Sequence, residues 1–461
     1  MTQKSLTKNH HYLFVYVFFV ALTLIFLHSP YYEGDTIILV QSVSDIEKCL
    51  NNRVYTNCNT VIHFPIFQFV PAFLLSKLGV DQPIILRILA TINTISFFGS
   101  ILLFFKVLSK LHNSWIANTG LLIMISSPLL WYAQSTFNEM TATFITLGFT
   151  ASLLINSPVW LIAILSFLVG ITKETAFPFV VAISILILYP NFKKQPKRFW
   201  FQMISVITGI IGSFTINSVF NYFRYRSYTN TYLLQDQFIV TDNLQKLSNF
   251  LGLWLSPNGG ILFFWTSFFL YTAAIVYFLF FKNKKSYHKL IPITLVIGTL
   301  GLLTYGLSNW WAPFGWYSWG PRLVIPWIPS LLIVTINFYP QETTSILEAT
   351  VLNKFTHRRI LFMIFFLLIS LPNIVILNHP EIMVQIFTPD ATCPETPFIT
   401  DLDYYYFCLN HYMWTKYPSI IDSFTKVFQN IPTFMLYTSY IIAFYQIQKG
   451  IQLSNRINKN Y

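Results

Sequence analysis

Ionisable residues are scarce in this sequence, and those present gather where apolar runs end. Glu33-Gly34-Asp35 follows the first apolar run. Glu139, in Asn138-Glu139, is the only acid between Asp81 and Glu174. Thr172-Lys173-Glu174 interrupts a stretch otherwise apolar from 158 to 190. Arg224 lies in Asn221-Tyr222-Phe223-Arg224-Tyr225-Arg226, and Arg322 follows Trp319-Gly320-Pro321. A placed carboxylate can take a proton from a hydroxyl as general base. A cation can neutralise a phosphate, and a planar guanidinium does so bidentately. In chain order, acids stand at the first two of these ends and cations at the next three. That is the layout needed to bind an anionic lipid head group and deprotonate a hydroxyl beside it. Each piece also has a plainer reading. Glu33 and Asp35 keep a helix exit wet, Glu139 is a solvated cap, Lys173 and Glu174 pair within one turn, and Arg322 snorkels. The aromatic run Trp310-Trp311 to Trp319 is first an interface belt and second a surface for stacking on sugars.

The elements that must hold these residues follow from composition. Hydrophobic residues make up 54% of the 461, charged residues only 10% and aromatics 18%. About 25% charge is usual in a soluble domain, so a water-soluble globule of this size is excluded. So is a disordered chain. A bilayer core needs about 20 apolar residues per helix. Twelve stretches qualify: roughly 11–29, 83–105, 115–132, 140–156, 158–172, 175–190, 201–221, 259–281, 290–308, 323–339, 360–378 and 431–448. The stretch 64–79 is interrupted by Pro65 and Pro71 and reads as a helix lying in the interface. The predicted fold is an all-α polytopic transmembrane helix bundle of about twelve spans, one integral membrane domain over 1–461.

Orientation follows from Lys and Arg. With the N-terminus cytoplasmic, the inside segments hold 18 of the 29 basic residues but only Glu342 and Glu348 of the 17 acids. The net charge of +12 is thus a topology signal, and nothing calls for a nucleic-acid partner. Both termini are expected inside. Lys4 and Lys8 precede an apolar run with no small-residue cleavage site, which reads as an uncleaved anchor. The long loops 30–82, 222–258 and 379–430 fall outside, and loops on a rigid scaffold carry function. Cys49 and Cys58 share the first of these and Cys393 and Cys408 the last. Disulfides persist on the oxidising side of a membrane, so two bridges are expected. The sequence has no Asn-X-Ser/Thr site, a hint towards a bacterium, and the expected location is a bacterial inner membrane.

Taken together, these residues resemble bacterial members of the GT-C glycosyltransferase superfamily, of the type of the protein O-mannosyltransferases and the lipid A aminoarabinose transferase. The matching pieces are Glu33-Gly34-Asp35, His63-Phe64-Pro65, Leu86-Arg87, Asn138-Glu139, Gly170-Ile171-Thr172-Lys173-Glu174, Ser256-Pro257-Asn258-Gly259-Gly260 and Gly320-Pro321-Arg322-Leu323 leading to Pro326 and Pro329. The resemblance implies a polyprenyl-phosphate-linked sugar as donor and inverting transfer to an acceptor hydroxyl on the outer face. It assigns the catalytic base to Asp35, with Glu33 second, a further catalytic acid to Glu139, and contact with the donor phosphate to Lys173. Arg322, Arg224 and His63 are the remaining candidates for the phosphate. Two departures stand out: Gly34 separates acids that are often adjacent, and His63-Phe64-Pro65 replaces a Lys-Pro-Pro. The resemblance implies no cofactor and no metal, and no His/Asp/Cys cluster in the sequence argues for one. The acceptor, whether glycan, lipid or protein, is left open.

Two other classes compete. A twelve-span secondary transporter or lipid flippase favours repeated halves and broken helices around a midplane site, and the sequence has neither an internal repeat nor a charge in mid-span. A structural subunit of an envelope complex would leave the acids merely solvated.

Overall fold

The computed structural model describes residues 66–111, 129–133, 135–192, 195–231, 239–255, 260–265, 290–310 and 321–337, with a few isolated positions between them. Among these residues the elements are helical. They are α1 (Ile66–Lys77), α2 (Gln82–Leu111), the single turn α3 (Leu129–Tyr132), α4 (Glu139–Leu154), α5 (Val159–Thr172) and α6 (Phe177–Leu188), followed by α7 (Pro196–Tyr225), α8 (Asn243–Leu255), α9 (Ile261–Phe264), α10 (Leu290–Ser308) and α11 (Ile328–Asn337). Among the described residues, three stretches are long and apolar enough to cross a membrane: Gln82–Leu111, Pro196–Phe223 and Ile291–Ser308. Helices α1, α4, α5, α6 and α11 are apolar but shorter.

Helix α4 is the centre. Thirteen of its sixteen residues are buried, and α2, α5 and α11 pack around it. Three of its four threonines satisfy their hydroxyls within the helix: Thr143 Oγ1 donates to Glu139 O, Thr146 Oγ1 to Ala142 O and Thr150 Oγ1 to Thr146 O. A β-branched polar residue can therefore sit in a dry interior without an orphaned group. The helix ends at Leu154, and just beyond it Asn156 has a left-handed φ of 56°. Ser157 N donates to Ser152 O and Asn156 N to Leu153 O. This double closure satisfies the last carbonyls and turns the chain back into α5 after Pro158.

Among the described residues, helices α5 and α7 share the most extensive contact. A Cβ at Gly209 would overlap Ser166 Oγ and the carbonyl of Ala163, so only glycine fits there. Ser166 Oγ donates to Val206 O and Asn217 Nδ2 to Gly170 O. At the other end Arg198 Nη2 donates to Asn156 O. The starts of α5 and α7 therefore lie together and the two helices run parallel.

The described residues refine two sequence expectations. The run expected as a span over 323–339 becomes helical only at Ile328. Residues 321–327 form successive turns, because Pro326 has no N–H to donate and restricts the residue before it. The expected outer loop 222–258 is partly helical: α7 continues to Tyr225, and α8 occupies Asn243–Leu255. The stretch around Pro71 is a helix, as expected, with the proline inside it. Candidates 11–29, 360–378 and 431–448, most of 115–132 and 259–281, and all four cysteines with their expected bridges lie outside the described residues.

Candidate active site

The site is built on the irregular turn that precedes α4. Buried helix side chains hold this turn by its backbone. Asn93 Nδ2, from α2, donates to Ser135 O at 2.8 Å and also to Phe137 O. Thr94 Oγ1 donates to Ala133 O at 2.7 Å, and Gln68 Nε2, from α1, to Thr136 O at 2.7 Å. Asn93 Oδ1 accepts in turn from Thr141 Oγ1. Asn138 Nδ2 donates to Thr172 O at 2.8 Å, which ties the start of α4 to the end of α5. The carbonyls of a non-helical turn are thus satisfied by amides and hydroxyls instead of water.

That scaffold brings three of the predicted residues together. Glu139 opens α4, where the positive end of the helix favours an anion. Its Oε1 lies 2.9 Å from Arg322 Nε and 3.4 Å from Lys173 Nζ. The Glu139 side chain is 3% exposed, Lys173 18% and Arg322 14%. The Arg322 guanidinium also sits 4.0 Å above the Phe137 ring, so the turn supplies both a carboxylate and an aromatic face for it. Lys173 lies in extended backbone between α5 and the 3-10 turn Glu174–Ala176. Burial holds its ammonium below the usual lysine value, Glu139 opposes that shift, and Arg322 adds to it.

One negative group therefore faces two positive ones. A carboxylate shared between two cations is a weak proton acceptor, since protonating it would strand both cations. Glu139 Oε2 is buried and makes no hydrogen bond to a described residue. The arrangement holds a guanidinium and an ammonium side by side, a pair suited to an anion. Among the described residues no group of three or more His, Cys, Asp or Glu side chains could hold a metal ion.

The plainer sequence readings of two residues are corrected. Glu139 is not a solvated cap: it is buried. Lys173 does not pair with its neighbour Glu174: it turns to Glu139, while Glu174 Oε2 accepts from Asn230 Nδ2 at 3.4 Å. Arg87, part of the matched pattern, is exposed on α2. Arg224 falls in the last turn of α7. Asp35, Glu33 and His63 lie outside the described residues. Sequence reasoning missed the supporting residues Gln68, Asn93, Phe137 and Asn217. A signal for Asn93 existed, as an amide in the middle of an apolar run is a buried polar group that needs partners.

No family model and no curated protein matches this chain. Among solved structures, the crystal structure of ArnT from Cupriavidus metallidurans in the apo state is similar at 12% identity, over 96% of this chain and 77% of that one, with a TM-score of 0.46.

Proposed function

We propose that this chain is an inverting glycosyltransferase of the GT-C type, moving a sugar from a polyprenyl-phosphate donor to an acceptor hydroxyl on the outer face of a bacterial inner membrane. The supporting observation is the convergence of Glu139, Lys173 and Arg322, which are 34 and 183 residues from Glu139 in the chain, at one buried cluster. The sequence pattern had already picked out all three.

In this reading Lys173 and Arg322 meet the donor phosphate, with Arg224 and His63 as further partners. They neutralise the charge that grows on the phosphate as it leaves the anomeric carbon, which is preorganised electrostatic stabilisation. Glu139 acts as their counter-ion: it holds the two cations side by side and offsets the burial that favours a neutral Lys173. Asp35, with Glu33 second, takes the proton from the acceptor hydroxyl. The sugar passes through an oxocarbenium-like transition state in a single displacement. The lipid tail stays between helices, so the enzyme is a membrane bundle.

The test is transfer by the purified, reconstituted chain from labelled polyprenyl-phosphate sugars. Asp35→Asn should lower turnover by ~10²–10⁴-fold while donor binding survives. Near-normal transfer by Asp35→Asn would move the base to Glu33. Full activity in both single variants and the double variant would rule out the mechanism. Label that crosses the bilayer untransferred would identify a flippase instead.

A further inference from the structure

Helix α8 turns an unusual side outward. Leu244, Leu247, Leu251 and Leu255 are spaced by three, four and four residues, which puts them on one stripe of a helix. All four are exposed, from 43% at Leu251 to 71% at Leu244. The other side buries Asn249, Gly252 and Leu253. The stripe extends about 16 Å at ~1.5 Å per residue. A continuous exposed apolar surface marks contact with lipid or with another protein.

The position of α8 decides between them. Asn249 Nδ2 donates to Ser308 O at 3.2 Å, and Trp254 Nε1 donates to Thr304 Oγ1 at 3.0 Å. As α8 advances from 249 to 254, its partners on α10 step back from 308 to 304. The two helices therefore run antiparallel, side by side, through the last turns of α10. Helix α10 is itself long and apolar enough to cross a membrane, and it exposes Leu295, Leu302 and Tyr305. The Leu251–Leu255 end of the stripe lies beside the last turns of that apolar helix, and its Leu244 end reaches past Ser308. At its own start α8 is closed by Asp242, whose carboxylate accepts from Gln245 N at 3.0 Å, so its first turn is satisfied without help from a partner.

The geometry points to α8 as a membrane-embedded helix whose leucine stripe is covered by the acyl chains of the leaflet around the Ser308 end of α10. This inference goes beyond the proposed chemistry and does not depend on it. Val240 N donates to Asn309 O at 2.9 Å, so the residues just before α8 also pair with the end of α10.

The experiment places single cysteines at Leu247 and Leu251 in the full chain and labels each with a nitroxide. The variants are reconstituted into phosphatidylethanolamine and phosphatidylglycerol vesicles. The unsubstituted chain gives the background from native cysteines, and Leu302→Cys on α10 gives the lipid reference. Collision rates with oxygen and with a water-soluble nickel chelate are then compared. Both stripe positions should match Leu302→Cys, with oxygen strongly favoured over nickel. Dominant nickel access would place the stripe in water and overturn the inference. Low access to both reagents would show that protein covers it, a second copy or another part of this chain, and would overturn it equally. If either variant fails to fold, Leu255→Cys samples the same stripe.

Discussion

Replacing Glu139 by Gln keeps the shape of the side chain and removes one charge from a buried cluster. Oε1 lies 2.9 Å from Arg322 Nε and 3.4 Å from Lys173 Nζ. At an effective dielectric of ~20, each contact corresponds to about 5 kcal/mol of Coulomb attraction. Desolvation of the ions takes back several kcal/mol apiece. The net consequence of deleting one partner is the stranding of the others, which destabilises buried pairs by ~3–5 kcal/mol. Here Arg322 and Lys173 keep 14% and 18% exposure and can recover some hydration. The expected loss therefore lies at the lower end, about 3 kcal/mol. With an unfolding entropy of ~2 cal/mol/K per residue, this lowers the melting midpoint by about 3 °C if the whole chain unfolds together, and by more if a smaller unit opens first. The assay is tryptophan-monitored melting and denaturant unfolding of the purified chain, arranged as a double-mutant cycle with Arg322→Gln. Once Arg322 is neutral, losing Glu139 should matter much less, with a coupling of about 2 kcal/mol. A cycle that closes to within about 0.5 kcal/mol, or a Glu139→Gln variant as stable as the parent, would refute the ion cluster as the organising feature of the site.

Three further outcomes are expected. Lys173→Ala should weaken polyprenyl-phosphate binding and slow transfer together, because the phosphate is charged both before and during reaction; an unchanged affinity would remove Lys173 from the phosphate site. Asn93→Ala strands the carbonyls of Ser135 and Phe137 and should destabilise the chain by ~1–3 kcal/mol, with Glu139 displaced as the turn loosens; a neutral effect on unfolding would show that the turn is held by other means. A cysteine introduced at Lys194 or Lys284 should react with a membrane-impermeant reagent only from the cytoplasmic side, in line with the distribution of basic residues, and labelling from outside would reverse the assigned orientation.

Much of the site was legible because ionisable groups are conspicuous in an apolar chain. Glu139, Lys173 and Arg322 each interrupt a hydrophobic stretch, and a membrane tolerates such interruptions only where they are paired or used. Their pairing was not legible. Local spacing favoured Lys173 with Glu174, but the extended backbone at Lys173 sends the two side chains in different directions, one to Glu139 and the other towards Asn230. The packing of α4 between α2 and α5 sets that choice, and no short-range pattern encodes it. For α8 the signals were present: an aspartate at the start and leucines at helical spacing. A search for span-length apolar runs passes over a helix of thirteen residues. The late start of α11 was also readable, since Pro326 and Pro329 both sit in the first seven residues of the expected span.

The parallel pairing of α5 and α7 has a consequence for ionic strength. Asn217 is level with Gly170. From there α5 runs two more residues to Thr172, whereas α7 runs eight more to Tyr225. Helix α7 therefore outreaches α5 by six residues, about 9 Å at ~1.5 Å per residue. Lys173, which follows Thr172, lies about that far short of the end of α7. The Glu139 side chain is 3% exposed, and salt screens buried or partly buried pairs much less than exposed ones. Between ~0.1 M and ~1 M salt, exposed ion pairs on the same molecule lose most of their attraction, while the coupling between Glu139 and Arg322 should hardly change.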